Sequence, residues 1–490
     1  MLKLYIYFYY IILMNIDIIK LLYLSCMSLS KFCYINLYYE YYNKCKNSIE
    51  YYNYSRFKLI KELSIKLCNL NVNYLKIIQS LCLQKDFLTK QEQEYLIKYT
   101  NNVPYTFNDI DFNIINFLKN QNIIFDSDIP INSGVSALVY KGKYNNNNVA
   151  IKILKKNAKI NMYNCLSTLK ILIYVTSFIP IIKNLNLISV FELNRKIMLE
   201  QLDFINEKSN LRYFIDSYQN YDYINIPKLY EINCDMILNN NTNLTCYNDK
   251  YNSKFLIMEY IDGFTIQNLI EIKNNKLNKI FGEKILKFGL LAIIMTSCIH
   301  CDLHPGNFIL NIKDISNNKI LNNNEINNTF SDLEHIIDYD NYEYILNIID
   351  FGLAIFPSKE TQNIYYEYFN KIFVENDYVN GAEYTLHNLI ENQDGNRSQQ
   401  SKNFKNAKND LSELFKKYHS RDYDLEIFYK INKIINNYGF KFKNDILKIQ
   451  ISLSVSCHMT KNLLGTHGIN KTTKNLMKEL FSIKNLINFD

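Results

Sequence analysis

His300-Cys301-Asp302-Leu303-His304-Pro305-Gly306-Asn307, followed downstream by Ile349-Asp350-Phe351-Gly352, is the pair of segments on which the fold of this chain turns. An Asp, an Asn five residues later and then Asp-Phe-Gly make a donor set suited to phosphoryl transfer. That reaction needs little covalent help from protein. It needs cations that neutralise phosphate charge and a group that orients the nucleophile. Asp302 is the candidate for orienting, and Asn307 and Asp350 are the candidates for holding Mg²⁺ through hard oxygen ligands. Each piece alone is cheap, because Asp-Phe-Gly is a plausible turn and Pro-Gly is ordinary loop chemistry. The upstream sequence decides the matter.

Ser133-Gly134-Val135-Ser136-Ala137 is a small-residue turn running into the apolar strand Leu138-Val139-Tyr140. Such a turn lets backbone N–H groups approach a polyphosphate. The Asn run from Asn145 to Asn148 then reads as a hairpin turn into Val149-Ala150-Ile151-Lys152-Ile153-Leu154. Strand periodicity puts Val149, Ile151 and Ile153 on one face and Ala150, Lys152 and Leu154 on the other. The second face suits a nucleotide, with a small residue to admit a flat base and an ammonium to reach phosphate. In isolation the same strand is a half-buried strand with one snorkelling lysine. Phe255-Leu256-Ile257-Met258-Glu259-Tyr260-Ile261-Asp262-Gly263 follows as a buried strand with a polar exit. In a kinase layout it is the last small-lobe strand and the hinge, with Met258 behind the pocket and the backbone of Glu259 to Ile261 on the adenine edge. Four features in this order predict an α+β, bilobal protein-kinase-like fold: a small β-rich N-lobe and a helical C-lobe.

The motif wording resembles the UbiB family of atypical kinases, also called ABC1 or ADCK, whose signature is His-x-Asp-x-His-Pro-Gly-Asn. Ordinary protein kinases have Asp-Leu-Lys where this chain has Asp302-Leu303-His304. The resemblance implies a helical N-terminal extension carrying Lys-x-Gly-Gln; Lys76-Ile77-Ile78-Gln79 matches it except for Ile78, ahead of Lys85-Asp86-Phe87-Leu88 and Val103-Pro104. Gln201-Leu202-Asp203-Phe204-Ile205-Asn206-Glu207 resembles the family's Glu-x-Asp segment. The resemblance nominates Glu207 as partner of Lys152, keeps Asp203, and substitutes Gln201 for the first Glu. It implies regulatory roles for Lys76 and Gln79. It also implies ATP or ADP with Mg²⁺, and work on ubiquinone or its lipid precursors at a membrane surface. The nucleotide loop, which contains glycine rather than an alanine run, is closer to the ADCK2-like branch.

At 490 residues the chain accommodates such a core with extensions at both ends. The expected organisation is a targeting or membrane-associated segment over 1–50 and the helical extension over 51–122. The N-lobe spans 123–261 with an insertion at 233–253, and the C-lobe 262–490 with an insertion at 313–342. The Asn-rich insertions are expected to be tolerated surface loops, since closure cost grows slowly with length. Gln393 to Asp410 is polar enough to be disordered. A net charge of +7, without an Arg/Lys stripe interleaved with aromatics, does not argue for nucleic acid. Eleven cysteines lack framework spacing, and Cys298-Ile299-His300-Cys301 has no second pair at zinc-ligand distance. Free thiols fit a reducing compartment.

Leu4 to Met14 is apolar but too short to span a bilayer, and acidic residues are nearly absent before Glu40. A presequence, a signal anchor and a helix packed on the core all fit that pattern. The family resemblance implies a mitochondrial, inner-membrane-associated protein, with a plastid-type organelle as the alternative. Ile449 to Met459 is apolar but short. Tyr365 to Val374 and Leu411 to Tyr418 carry helical spacing. The chain lacks an Ala-Pro-Glu closing an activation segment, which argues against a typical protein kinase. Three functions follow: an ATP-binding atypical kinase or ATPase, a nucleotide-gated lipid-binding or scaffold protein without phosphotransfer, and a small-molecule kinase of the aminoglycoside or choline type.

Overall fold

A computed structural model of the protein describes most of residues 19–38 and all of 46–74, 103–176, 198–232, 251–330, 337–391, 397–420, 427–464 and 468–487. It also describes single residues between 89 and 96 and between 191 and 195. Lys76, Gln79, residues 85–88, the run from Leu4 to Met14 and most of the 233–253 insertion lie outside the described residues. The chain forms two compact units, residues 1–206 with 230–260 and residues 207–229 with 261–490.

The first unit is built on an antiparallel sheet in the order Ile124–Phe125, Ala137–Tyr144, Asn147–Leu154 and Phe255–Glu259, with Asn132–Ser133 also pairing onto the second strand. The central hairpin turns at Asn145 and Asn146, both in the left-handed region (φ 49° and 64°). Asn147 and Asn148 already belong to the ladder, with Tyr144 opposite Asn147. The Asn run is therefore a two-residue turn of the kind whose twist suits a hairpin, and Asn tolerates that conformation better than branched residues. Alternation then works as period two demands. Val149, Ile151 and Ile153 are buried with Leu138, Tyr140, Phe255 and Ile257 against Ile110, Ile114, Ile115 and Leu118. The last three lie on the helix Phe112–Asn120, so this helix packs into the sheet's core. The extension's long helix is Lys46–Leu70, and Leu67 and Leu70 pack near Leu21, Tyr74 and Cys165.

The second unit centres on the helix Asn275–Leu291, whose Leu277, Phe281, Ile285, Leu286 and Phe288 are fully buried. The helix Asn444–Leu464, which precedes the last helix Gly468–Ile487, crosses it closely. A Cβ on Gly289 would meet Ser456 Oγ at 2.8 Å, and Thr460 Oγ1 donates to the Gly282 carbonyl at 3.2 Å. Within the apolar run from Ile449 to Met459, Ile449, Leu453 and Met459 are buried, and among the described residues no helix is long and apolar enough to cross a membrane. Residues 397–410 are the first half of a helix, Arg397–Ser420, whose Ala407, Leu411 and Phe415 are buried. Disorder expected from polar composition there is overturned by this helix, which docks from Phe404 onward through Ala407, Leu411 and Phe415 at helical spacing.

A sheet in the order Lys319–Ile320, Phe308–Asp314, Tyr342–Ile348 and Ile224–Asn225 lies in the same unit. Its two long strands pair fully, from Tyr342 opposite Asp314 to Ile348 opposite Phe308. Lys313, Asp314 and Tyr342 are thus ladder residues, and the inserted stretch is 315–341. That stretch is not a bare loop. It carries the helix Asn323–Phe330, buries Ile326 and Phe330, and is tied to the start of the central helix. Asn274 caps that helix by accepting from Lys276 and Leu277 N–H, while its Nδ2 donates to the Phe330 carbonyl (2.8 Å) and to Tyr339 Oη (3.0 Å).

Candidate active site

The antiparallel ladder explains how two distant motifs meet. Asn307 immediately precedes one strand and Ile349-Asp350 immediately follows its partner, so pairing of Phe308 with Ile348 brings the motifs side by side. The Ile349 N–H donates to the Asn307 carbonyl at 3.1 Å. Asn307, buried, donates Nδ2 to the Asp302 carbonyl at 2.7 Å. Because its amide nitrogen is spent on that bond, its Oδ1 is directed the other way and is the atom left for a cation. One Asp350 carboxylate oxygen accepts from Gly352 N–H at 2.9 Å. Asp302, Asn307 and Asp350 are therefore joined within one short network, and all their candidate ligand atoms are hard oxygens, a donor set that fits Mg²⁺.

His300 holds this arrangement from beneath. Its ring is fully buried, its Nδ1 accepts the Asp302 N–H at 3.2 Å, and its Nε2 bonds the Asp350 carbonyl. Accepting at Nδ1 leaves the proton on Nε2, a neutral imidazole, and burial pushes its pKa below the usual histidine value. Phe214 and Phe351, also fully buried, pack against the ring with centroids 6.0 and 6.1 Å away, and against each other at 5.0 Å. Cys301 N–H donates to the Leu353 carbonyl (3.0 Å) in the short pairing of Ile299–His300 with Ala354–Ile355. Tyr218 donates its hydroxyl to the Cys298 carbonyl at 3.0 Å, just after a π-helical turn, Ala292–Thr296, that breaks the central helix ahead of the loop. His304 accepts the Gly306 N–H on Nδ1 at 3.2 Å and so caps the turn Pro305–Asn307.

Glu207 is buried in the first turn of the helix Phe204–Tyr218, and Phe351 N–H approaches its Oε1 at 3.5 Å. Asn210 of the same helix donates to the Phe351 carbonyl at 2.8 Å. This helix is therefore registered to the Asp-Phe-Gly segment from both sides. Asp203 accepts the Ile205 N–H at 3.0 Å and starts the helix, a capping role that composition alone does not separate from a regulatory one.

In the first unit, register places Val139 opposite Lys152, and Lys141 and Met258 opposite Ala150. Val139, Lys141, Ala150, Lys152, Leu256 and Met258 thus share the face turned away from the hydrophobic core. Lys152 Nζ lies 5.7 Å from the Phe204 ring, and Lys141 Nζ 4.1 Å from the Tyr260 ring, a second cation on this face that sequence reasoning missed. Glu259 ends its strand opposite Val149, and Tyr260 N–H donates to the Asn148 carbonyl at 3.0 Å. At Ile261 the chain returns to the second unit. In the small-residue turn, Gly134 N–H is taken by the Ala137 carbonyl (2.9 Å) and the Ser133 carbonyl by Val103 N–H (2.8 Å). A Cβ at Gly134 would find its nearest neighbour at 3.6 Å, so no crowding requires glycine there. Val135 is buried beside Val103, Cys68 and Val72, so its side chain serves the fold. Lys155 N–H donates to the Ser136 carbonyl at 2.9 Å, anchoring the end of the turn to the lysine strand.

His300 was within reach of the sequence as part of its motif. Phe214, Asn210 and Tyr218 were not, because no local pattern marks a helix residue that will meet a loop 80 or more positions away.

Comparison with known proteins adds the following. The model of the ABC1 atypical kinase-like domain matches residues 121–239 and 245–385, over half of the chain. An AarF domain-containing kinase 1 from Drosophila melanogaster is 25% identical over 256 residues, 48% of this chain and 46% of the relative. A probable protein kinase UbiB from Blochmanniella pennsylvanica is 23% identical over 199 residues, 40% of this chain and 33% of the relative. A probable serine/threonine-protein kinase abkC from Dictyostelium discoideum is 28% identical over 210 residues, 42% and 27% respectively. The chain spans less than half the length of these relatives.

Proposed function

Given that the chain belongs to the ABC1 atypical kinase-like family, we propose that it binds ATP with Mg²⁺ and works as an atypical kinase or ATPase. The observation that carries this is the bond from Ile349 N–H to the Asn307 carbonyl, together with the Asn307 side chain on Asp302. These bonds set three oxygen-bearing side chains at the base of one hairpin. Asn307 Oδ1 and the Asp350 carboxylate would hold Mg²⁺, which neutralises phosphate charge when bound. Asp302 orients the attacking hydroxyl or water and receives its proton. Lys152 binds the α- and β-phosphates, with Glu207 as its partner. Ala150 and Met258 line the base, backbone at Glu259 and Ile261 bonds its edge, and the turn from Ser133 to Ala137 covers the phosphates. The resemblance extends this reading to ubiquinone or a lipid precursor as the molecule handled, at a mitochondrial or plastid-type membrane.

Titration of the protein with a fluorescent ATP analogue tests the reading. Asp350→Asn keeps the acceptor for Gly352 N–H, so the fold stands, but Mg²⁺-dependent binding falls by at least about tenfold. Equal binding by wild type and this variant defeats the proposal. Single-turnover hydrolysis with lipid present separates enzyme from scaffold, since turnover lost in Asp302→Ala requires a catalyst.

A further inference from the structure

Two antiparallel strands usually take their register from the turn that joins them. Phe308–Asp314 and Tyr342–Ile348 have no tight turn, because residues 315–341 intervene. Register nevertheless decides the site, since a slip of one residue would turn every side chain of a strand to the other face and carry Asp350 away from Asn307. Something other than the turn must fix it.

Buried carboxamides meet that need. Asn347, opposite Ile309, donates Nδ2 to the Ile309 carbonyl at 2.8 Å and to Asn311 Oδ1 at 2.7 Å, its diagonal neighbour across the ladder. Its Oδ1 accepts from Asn225 Nδ2 at 2.8 Å, reaching the parallel strand on the other side. Asn311 Nδ2 then donates to the Asp262 carbonyl at 2.7 Å. There the chain bridges Phe264 to Leu310, and Gly263 passes so close that a Cβ would lie 2.6 Å from the Leu310 carbonyl. Asn311 and Asn347 are both almost fully buried, so no water replaces these partners in a slipped register. An apolar strand pair tolerates a shift by two with similar burial; this one does not.

We propose that Asn347 and Asn311 are positioning residues that set hairpin register in place of the missing turn and thereby hold Asn307 and Asp350 together as a magnesium site. The proposal rests on the reading of those two residues as ligands. Both act through the backbone at the hairpin base.

The test is nucleotide binding by the whole protein, titrated with Mg²⁺ at fixed ATP analogue. In Asn347→Leu the Mg²⁺ concentration for half-maximal binding rises about tenfold, the size of effect expected from losing a buried bonded amide. Metal-free binding stays at the wild-type level. In Asn347→Asp a buried carboxylate cannot donate, but its protonated form can, so Mg²⁺ affinity recovers between pH 8 and pH 6. The second variant carries the test if the first fails to fold. A folded Asn347→Leu with wild-type Mg²⁺ dependence, or an Asn347→Asp with pH-independent affinity, overturns the register role alone. Wild-type binding that ignores Mg²⁺ overturns the metal reading and the register role with it.

Discussion

Ser452 donates its hydroxyl to the carbonyl of His300 at 2.6 Å, across 152 residues of chain. Both groups are buried, and His300 in turn bonds Asp302 and Asp350, so the helix Asn444–Leu464 fastens the loop on which the proposed chemistry depends.

Ser452→Ala leaves that carbonyl without this donor and costs about 1–2 kcal/mol of unfolding free energy. Urea denaturation measures it. A loss below about 0.3 kcal/mol would mean the bond is replaceable.

Phe330→Ala tests whether the 315–341 insertion is part of the core. A surface loop would respond within about 0.5 kcal/mol, whereas a buried ring over the cap of the central helix costs about 3–5 kcal/mol. Thermal unfolding should show the larger value, because Phe330 is fully buried and its carbonyl accepts from Asn274.

Gly263→Ala is expected to destabilise by about 1–3 kcal/mol through overpacking. The added methyl would stand 2.5 Å from Ile309 Cγ2 and 2.6 Å from the Leu310 carbonyl, and the latter is backbone held in a ladder. Nucleotide affinity should fall with it, since the segment directly follows the proposed hinge.

Lys155 gives a pH signature. Its Nζ is buried and makes no hydrogen bond among the described residues; burial lowers its pKa, and Asp109 offsets this only in part. A lowered folded-state value means the unfolded chain binds more protons between that value and about pH 10.4, so this group's contribution to stability rises with pH across that window and is flat below it. Lys155→Met should therefore stabilise the protein at pH 7 by about 1–3 kcal/mol. The gain should shrink as pH rises toward 10, as chemical denaturation across pH 6–10 will show. A destabilised variant would mean the ammonium has a partner after all.

Several elements could be drawn from the chain in advance because their causes are local. The face alternation of Val149 to Leu154 follows from strand geometry alone, and the hairpin before it from two asparagines tolerant of positive φ. Motif order gave the protein-kinase-like fold and the family. That Ile114, Ile115 and Leu118 find their burial in a sheet that lies later in the chain was not legible in advance, because the helix that carries them shows only its own periodicity. The place of the insertion was legible, but polar composition concealed that it buries Ile326 and Phe330 and that 397–410 is helical, because a few apolar side chains suffice to dock a polar segment.

What the amino-acid order determined by itself is the chemistry available: which oxygens, which ammonium and which backbone turns the chain owns, since these depend on residue type and near neighbours. What only the tertiary structure decided is who holds them. Ser452 on His300, Asn347 on Asn311, and Asn210 on Phe351 are pairings over 36 to 152 positions. Hydrogen bonds of that kind leave no periodic trace, because they are chosen by where packed elements come to rest.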